Sequence, residues 1–186
     1  MKFDSKDLSL TAVFAALYAV INIVQTMMGG PITYGPIQLR LADCLIALSA
    51  LFGWPVALGV GIGCFSNAYY MLDPADIIIG PFVNFAAAIV VFALRKRKLL
   101  ACTLGSLVVG VPIGLYLYYL YVRGNPIIQQ QTPNFWVPLP LWSAFVLSLV
   151  ISSLVAIAAI GFALLKTLSR QGIVDSLKAH GLKVLE

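Results

Sequence analysis

The chain has 186 residues, of which 61% are hydrophobic and 10% are charged, and its mean hydropathy is +0.96. These values exclude an ordinary water-soluble domain, because about 25% of the residues in such domains are charged. The formal net charge of +5 requires no nucleic-acid partner, since the cytoplasmic loops of membrane proteins are rich in lysine and arginine. The composition therefore predicts a protein embedded in a lipid bilayer.

Six apolar segments follow one another along the chain, each close to the roughly 20 residues that cross a bilayer as a helix. The predicted transmembrane helices are Leu8–Met28, Pro36–Trp54, Pro55–Leu72, Ala75–Leu94, Leu99–Val122 and Leu141–Leu165. Because the connections are short, residues 1–168 are predicted to form one six-helix transmembrane domain. Residues 169–186, in which apolar and basic residues share a short helix, are predicted to form a cytoplasmic amphipathic tail. The predicted fold class is an all-α membrane protein.

The positions of lysine and arginine predict how the helices are oriented. Lys2 and Lys6 precede the first segment, Arg95–Lys98 joins the fourth and fifth, and further basic residues follow the sixth. Six crossings place these three clusters on one side of the membrane, whereas five or seven would scatter them over both sides. Basic loops stay in the cytoplasm, so both termini are predicted to be cytoplasmic.

Polar side chains gather at the start of the second segment, in the sequence TYGPIQLRLADCL. Arg40 and Asp43 share one face of a helix, and Gln38 lies just before them. A charged side chain at mid-depth costs roughly 2.5–3.5 kcal/mol, which favours a functional reason for keeping it. From Leu39 to Gly53 the run gives only about 21 Å of helix, so this helix is predicted to begin below the outer surface beside a cavity. The alternative is a purely structural ion pair between Arg40 and Asp43.

Other polar and aromatic residues are predicted to face the same outer side. Asn67 and Tyr70 lie near the end of the third segment, Asp76 begins the fourth, and Trp136 lies in the loop before the sixth. Acids, amides and aromatic faces around one cavity are the usual composition of a small-molecule site. Two simpler roles stay open, because Trp136 also suits an interfacial anchor and Asp76 a helix N-cap.

No motif indicates catalysis, a metal site or a cofactor. The single histidine, His180, lies in the tail, and there is no HExxH motif. Cys44, Cys64 and Cys102 lie in apolar segments without CxxC spacing, as expected of small buried hydrophobic residues. A Walker A loop is also missing, so any ATP hydrolysis that drives this chain has to come from a partner.

Three sequence blocks resemble those of a known family. The stretch YGPIQLRLAD at 34–43 resembles the opening signature of the QueT queuosine-precursor transporters, and GCFSN at 63–67 and DIIIG at 76–80 resemble the next two blocks. The resemblance covers roughly residues 8–95. It implies a substrate-binding S-component of an energy-coupling factor (ECF) transporter, with an S-component-like bundle in the plasma membrane of a prokaryote. Such a protein docks on a scaffold transmembrane subunit that carries two ATPase subunits.

The resemblance also implies a ligand and the residues that bind it. The ligand is a queuosine precursor such as a 7-deazaguanine, or another small vitamin-like molecule. Its donors suit the carboxylate of Asp43, its carbonyl group suits Arg40 or Gln38, and its ring suits stacking on an aromatic side chain. Two departures from the family bear on the substrate: Asp43 replaces a glutamate, and the sixth segment begins without an acid. The implied substrate-binding positions, with the nearby aromatic residues, are Tyr34, Gln38, Arg40, Asp43, Asn67, Tyr70, Asp76 and Trp136.

Alanines at three- and four-residue spacing form a strip along the first segment, at Ala12, Ala15, Ala16 and Ala19. Small residues let a second helix approach closely, and the resemblance implies that the scaffold subunit docks on this strip. Packing within the chain is the alternative. The glycine pairs Gly59 with Gly63 and Gly110 with Gly114 are predicted to pack internally.

The alternative to an S-component is a self-sufficient secondary transporter or facilitator.

Overall fold

A computed structural model describes residues 4–34, 39–69, 74–124 and 140–185, and at 30–34, 69, 74–75 and 121–122 it describes the backbone alone. All regular structure in the described ranges is helical, which confirms the all-α prediction. The helices are α1 (Ser5–Tyr34), α2 (Leu41–Phe52), α3 (Trp54–Cys64), α4 (Pro74–Ala93), α5 (Lys98–Leu117), α6 (Leu141–Leu168) and α7 (Gln171–Ala179). Each of the six predicted segments therefore contains a helix in the described part of the chain.

Four stretches of the described chain are long and apolar enough to cross a membrane. They are Ser5–Gly29, Asp76–Ala93, Arg95–Leu120 and Leu141–Leu168. The helices α2 and α3 are shorter, and α3 has 11 residues. The chain is thus a multi-pass membrane protein, while six crossings and cytoplasmic termini stay predictions.

Local backbone geometry explains where the first helices bend or end. Gly29 has non-helical dihedral angles (φ −151°, ψ 49°) and interrupts α1 near its end. Gly53 separates α2 from α3 at φ 72°, a left-handed conformation that favours glycine because it has no Cβ atom. Pro55 then lies in the first turn of α3, where a proline costs no helical hydrogen bond. Gly53 and Pro55 therefore determine where α2 ends and α3 begins.

Glycines allow several helix pairs to approach closely. A Cβ atom at Gly59 or at Gly63 would lie 2.7 Å from atoms of α1. At Gly110 and Gly114 a Cβ atom would lie 2.7 and 2.9 Å from Cα atoms of α6. These contacts confirm that both glycine pairs pack internally, and they join α3 to α1 and α5 to α6 along the bundle.

The segment after α6 folds back against one end of the bundle. Val174 of α7 is buried, and the Lys183 side chain donates a hydrogen bond of 2.8 Å to Asp7 at the start of α1. The backbone N–H of Leu185 donates to the carbonyl oxygen of Leu51 at 2.8 Å. The tail is therefore attached to the ends of α1 and α2.

Candidate functional site

Four predicted site residues lie together in the interior of the bundle. Arg40 comes directly before α2, Asp43 lies in its first turn, Asn67 follows α3 and Asp76 lies in the first turn of α4. None of these side chains is more than 5% exposed. Burying a charge is costly unless it is paired and hydrogen-bonded, so their partners determine what the site can do.

Asp76 is contacted by side chains from three other parts of the chain. Its Oδ1 atom lies 3.8 Å from Nη2 of Arg40 and accepts a hydrogen bond from the Tyr116 hydroxyl of α5. Its Oδ2 atom accepts a hydrogen bond of 3.5 Å from the amide of Asn67. Asp76 therefore links Arg40, α3, α4 and α5, which goes beyond capping its own helix.

Asp43 is held by two neutral donors. The Tyr18 hydroxyl of α1 donates to Oδ1 of Asp43 at 2.6 Å. The side-chain amide of Asn84, in α4, donates to the same oxygen at 3.2 Å and to the Tyr18 oxygen at 2.8 Å. Arg40 is paired with Asp76, whereas the hydrogen bonds of Asp43 among the described side chains come from Tyr18 and Asn84. Among the described ion pairs, that of Arg40 is with Asp76, and the Arg40–Asp43 pair considered from the sequence is not one of them.

Arg40 and Asp43 line a small internal cavity. Its remaining walls come from α5 and α6, at Val109, Gly110, Ile113, Leu149, Ser152, Ser153 and Ala156. The volume of about 20 Å³ is enough for about one water molecule, whereas small-molecule pockets measure roughly 300–1,000 Å³. The cavity formed by these described residues is therefore smaller than a small-molecule pocket.

The other predicted site residues are not placed by the structure. Gln38, Tyr70 and Trp136 lie outside the described residues, and Tyr34 is the last residue of α1 with only its backbone described. The contribution of these four residues to the predicted site therefore stays a prediction.

Three polar residues of this cluster were missed from the sequence: Tyr18 and Asn84, which are buried, and Tyr116, which is partly buried. Tyr18 and Asn84 bind Asp43, and Tyr116 binds Asp76. A signal existed for Asn84, which is a lone amide in the apolar run IIIGPFVNFAAA and needs a polar partner there. Tyr116 gives no such signal, because Tyr118, Tyr119 and Tyr121 follow it closely.

The alanine strip of α1 divides into two halves. Ala12 and Ala16 are exposed, while Ala15 and Ala19 are partly buried. A Cβ atom at Gly63 would lie 2.7 Å from the carbonyl oxygen of Ala15, so that side of the strip packs on α3. Ala12 and Ala16 are left as the outward-facing half.

No metal-binding cluster is found in the part of the chain that the structure describes, since no three His, Cys, Asp or Glu side chains group together there.

The fold and the site define a multi-pass helical membrane protein with a buried, charged, cavity-lining cluster. The family model described as QueT transporter matches residues 8–170, and the chain belongs to this family. It is therefore a membrane transport protein of the S-component type, and the resemblance seen in the first half of the sequence is confirmed. Comparisons with curated proteins and with solved structures found no match.

Proposed function

We propose that this protein is the substrate-capture subunit of an ECF-type, ATP-driven uptake transporter in the plasma membrane of a prokaryote. Its proposed substrate is a queuosine precursor of the 7-deazaguanine class. The observation that carries the proposal is the buried group of Arg40, Asp43 and Asp76, two of which line the internal cavity, in a chain whose QueT family match spans residues 8–170.

The chemistry of the cluster suits a ligand rich in N–H donors. The cluster contains two carboxyl groups, Asp43 and Asp76, but one guanidinium group, Arg40, and Arg40 is paired with Asp76. Oδ1 of Asp43 already accepts from Tyr18 and Asn84, which leaves Oδ2 for donors of the ligand. A 7-deazaguanine presents N–H donors beside a carbonyl group, and Arg40 donates to that carbonyl. Charge-assisted hydrogen bonds of this kind are the stronger ones in proteins.

The proposed partners are a scaffold transmembrane subunit and two ATPase subunits. The chain has no Walker A loop, so the energy for uptake comes from elsewhere. Ala12 and Ala16 are exposed on α1, and small residues allow the close helix packing that stabilises association in membranes. This outward half of the strip is the proposed docking face.

Reconstitution tests the function. The purified protein should bind 7-deazaguanine, and vesicles containing it should accumulate the compound only when scaffold and ATPase subunits and ATP are also present. Uptake by the protein alone, driven by a proton or sodium gradient, would instead establish the secondary transporter. Absence of binding to any 7-deazaguanine, with binding of another vitamin-like molecule, would refute the substrate but not the transporter class.

A substitution pair tests the docking face. Ala12→Leu with Ala16→Leu adds bulk on the exposed side of α1, so folding and ligand binding should persist while association with the scaffold subunit and uptake fall steeply. Ala15→Leu is the matched control, because it adds the same bulk against α3 and should destabilise the protein itself. If the double variant loses ligand binding or fails to fold, the outward strip is not a docking face.

A further inference from the structure

We propose that a polar stripe on α1, formed by Tyr18, Asn22 and Gln25, positions the ligand-binding residues Arg40 and Asp43, with Tyr18 orienting the carboxylate of Asp43. This inference rests on the proposed function of the site. The three stripe residues are four and three positions apart, which places them on one face of a helix.

Each stripe residue is hydrogen-bonded to a part of the chain that carries a site residue. The Tyr18 hydroxyl donates to Asp43. The amide of Asn22 donates to Oδ1 of Asn67 at 2.8 Å and to Ser66 at 3.0 Å. Tyr18 and Asn22 are fully buried. The face of α1 opposite the exposed alanines is thus bonded to the site.

Gln25 holds the backbone on both sides of Arg40. Its side-chain amide donates to the carbonyl oxygen of Leu39, and its Oε1 atom accepts the backbone N–H of Leu41 at 2.7 Å. Arg40 is extended (φ −98°, ψ 96°) and its own side chain does not cap α2. The first N–H groups of a helix lack intrahelical partners, so Gln25 supplies from another helix the acceptor that a local cap would give. The backbone position of Arg40 is thereby fixed relative to α1.

Tyr18 determines what Asp43 presents to the cavity. Tyr18 donates to Oδ1 of Asp43, and the amide of Asn84 donates to both of them. Because Tyr18 and Asn84 both donate to Oδ1, this oxygen has to be a hydrogen-bond acceptor. The other carboxylate oxygen, Oδ2, is then the one left to accept from the ligand. The 2.6 Å O–H···O distance is that of a charge-assisted hydrogen bond. Tyr18 and Gln25 are therefore positioning residues that act through Asp43 and Arg40.

A purely structural role would make the stripe a set of hydrogen bonds between helices, as is common in membrane proteins. The positioning role and the structural role predict different coupling between substitutions at Tyr18 and Asp43. If Tyr18 acts through Asp43, removing the Tyr18 hydroxyl should have little effect on ligand binding once Asp43 no longer accepts from the ligand. A structural role predicts the same loss in either background.

The experiment is a double-mutant cycle on 7-deazaguanine binding to purified, folded protein. Tyr18→Phe alone should weaken binding about tenfold, the lower end of the range for one hydrogen bond to a charged group, and less than about twofold in the Asp43→Asn background. Tyr116→Phe is the matched control, since it removes a hydroxyl that bonds Asp76. Tyr116→Phe should weaken 7-deazaguanine binding by a similar factor whether residue 43 is Asp or Asn.

A second measurement compares the ligand affinity of two Gln25 variants, one of which keeps a hydrogen-bond acceptor. Gln25→Leu removes both contacts with the backbone around Arg40 and should weaken binding, while Gln25→Glu keeps the acceptor for Leu41 and should recover part of the affinity. Equal affinity of the two Gln25 variants at equal folded fraction would refute the positioning role of Gln25. If Tyr18→Phe does not fold, this pair alone decides the inference.

The outcomes separate this inference from the proposed function. If Asp43→Asn weakens binding and Tyr18→Phe does not, or if the two effects simply multiply, the positioning role of Tyr18 is refuted and the site stands. If Asp43→Asn leaves 7-deazaguanine binding unchanged in folded protein, the proposed site itself fails.

Discussion

The contact between α1 and α3 at Gly63 supports both the fold and the site, so Gly63→Ala is the most informative small substitution. A Cβ atom at this position would lie 2.7 Å from the carbonyl oxygen of Ala15, 2.7 Å from the Cβ atom of Tyr18 and 3.2 Å from the Cα atom of Ala15. Carbon atoms pack at about 3.5–4.0 Å, so the closest carbon contact is short by about 1 Å. Backbone atoms cannot rotate away, and α1 has to move.

The expected cost follows from this overlap. Overpacking a closely packed interior typically costs about 1–3 kcal/mol, and we expect the upper half of this range because backbone of both helices is involved. A shift of Tyr18 by ~1 Å also disrupts its hydrogen bond, because O–H···O bonds weaken beyond about 3.0 Å and the distance to Asp43 is now 2.6 Å. Gly63→Ala should therefore lower the melting temperature and the affinity for the ligand together.

Thermal unfolding in detergent, followed with a thiol-reactive dye, measures the stability directly. Cys64 and Cys102 are fully buried and become reactive as the protein unfolds. Gly172→Ala is the matched control, since nothing lies within 4 Å of its Cβ position in α7 and alanine stabilises helices by about 0.5–1 kcal/mol over glycine. A melting temperature for Gly63→Ala equal to or above that of the control would refute the close α1–α3 contact.

Three further predictions concern the site, the tail and the topology. Asp43→Asn should weaken 7-deazaguanine binding by about 1.5–3 kcal/mol in titrations of purified protein. The reason is that Tyr18 would hold the amide oxygen of the new asparagine, which leaves an N–H₂ donor toward the cavity. Unchanged affinity in folded protein would contradict this prediction. The hydrogen bond that Lys183 donates to Asp7 raises the pKa of Lys183 above 10.5, so its contribution to stability is complete below that pH and is lost as the pH rises through the raised pKa. Lys183→Met should remove that alkaline loss in melting curves, and identical curves for both proteins would show that the pair contributes nothing. Cysteines placed at Lys96 and at Gln130 should react with impermeant reagents from opposite sides of the membrane, and labelling of both from one side would refute six crossings.

The sequence by itself determined the class of protein and the apolar segments that become helices. Hydrophobicity and helix-breaking residues act locally, so the breaks at Gly53 and Pro55 and the apolar run of α6 could be recognised from neighbouring residues alone. It also singled out Arg40, Asp43, Asn67 and Asp76, because polar side chains are costly in an apolar segment wherever the segment packs.

The alanine strip was only half predictable from periodicity. Ala12 and Ala15 differ by about 60° around the helix axis, so a strip that contains both has two edges. The sequence cannot say which edge meets a neighbour. The glycines of α3 decide this by packing against Ala15, which leaves Ala12 and Ala16 exposed.

Only the tertiary structure decided which polar groups became partners. Spacing suggested Arg40 with Asp43, yet Arg40 faces Asp76, and Asp43 is bonded by Tyr18 and Asn84, which are 25 and 41 residues away in the chain. Helical periodicity fixes the face on which a side chain lies, but not the helix that it meets. That choice depends on how closely α1, α2 and α4 approach one another, and hydrogen bonds form only where this packing brings donor and acceptor within about 3 Å.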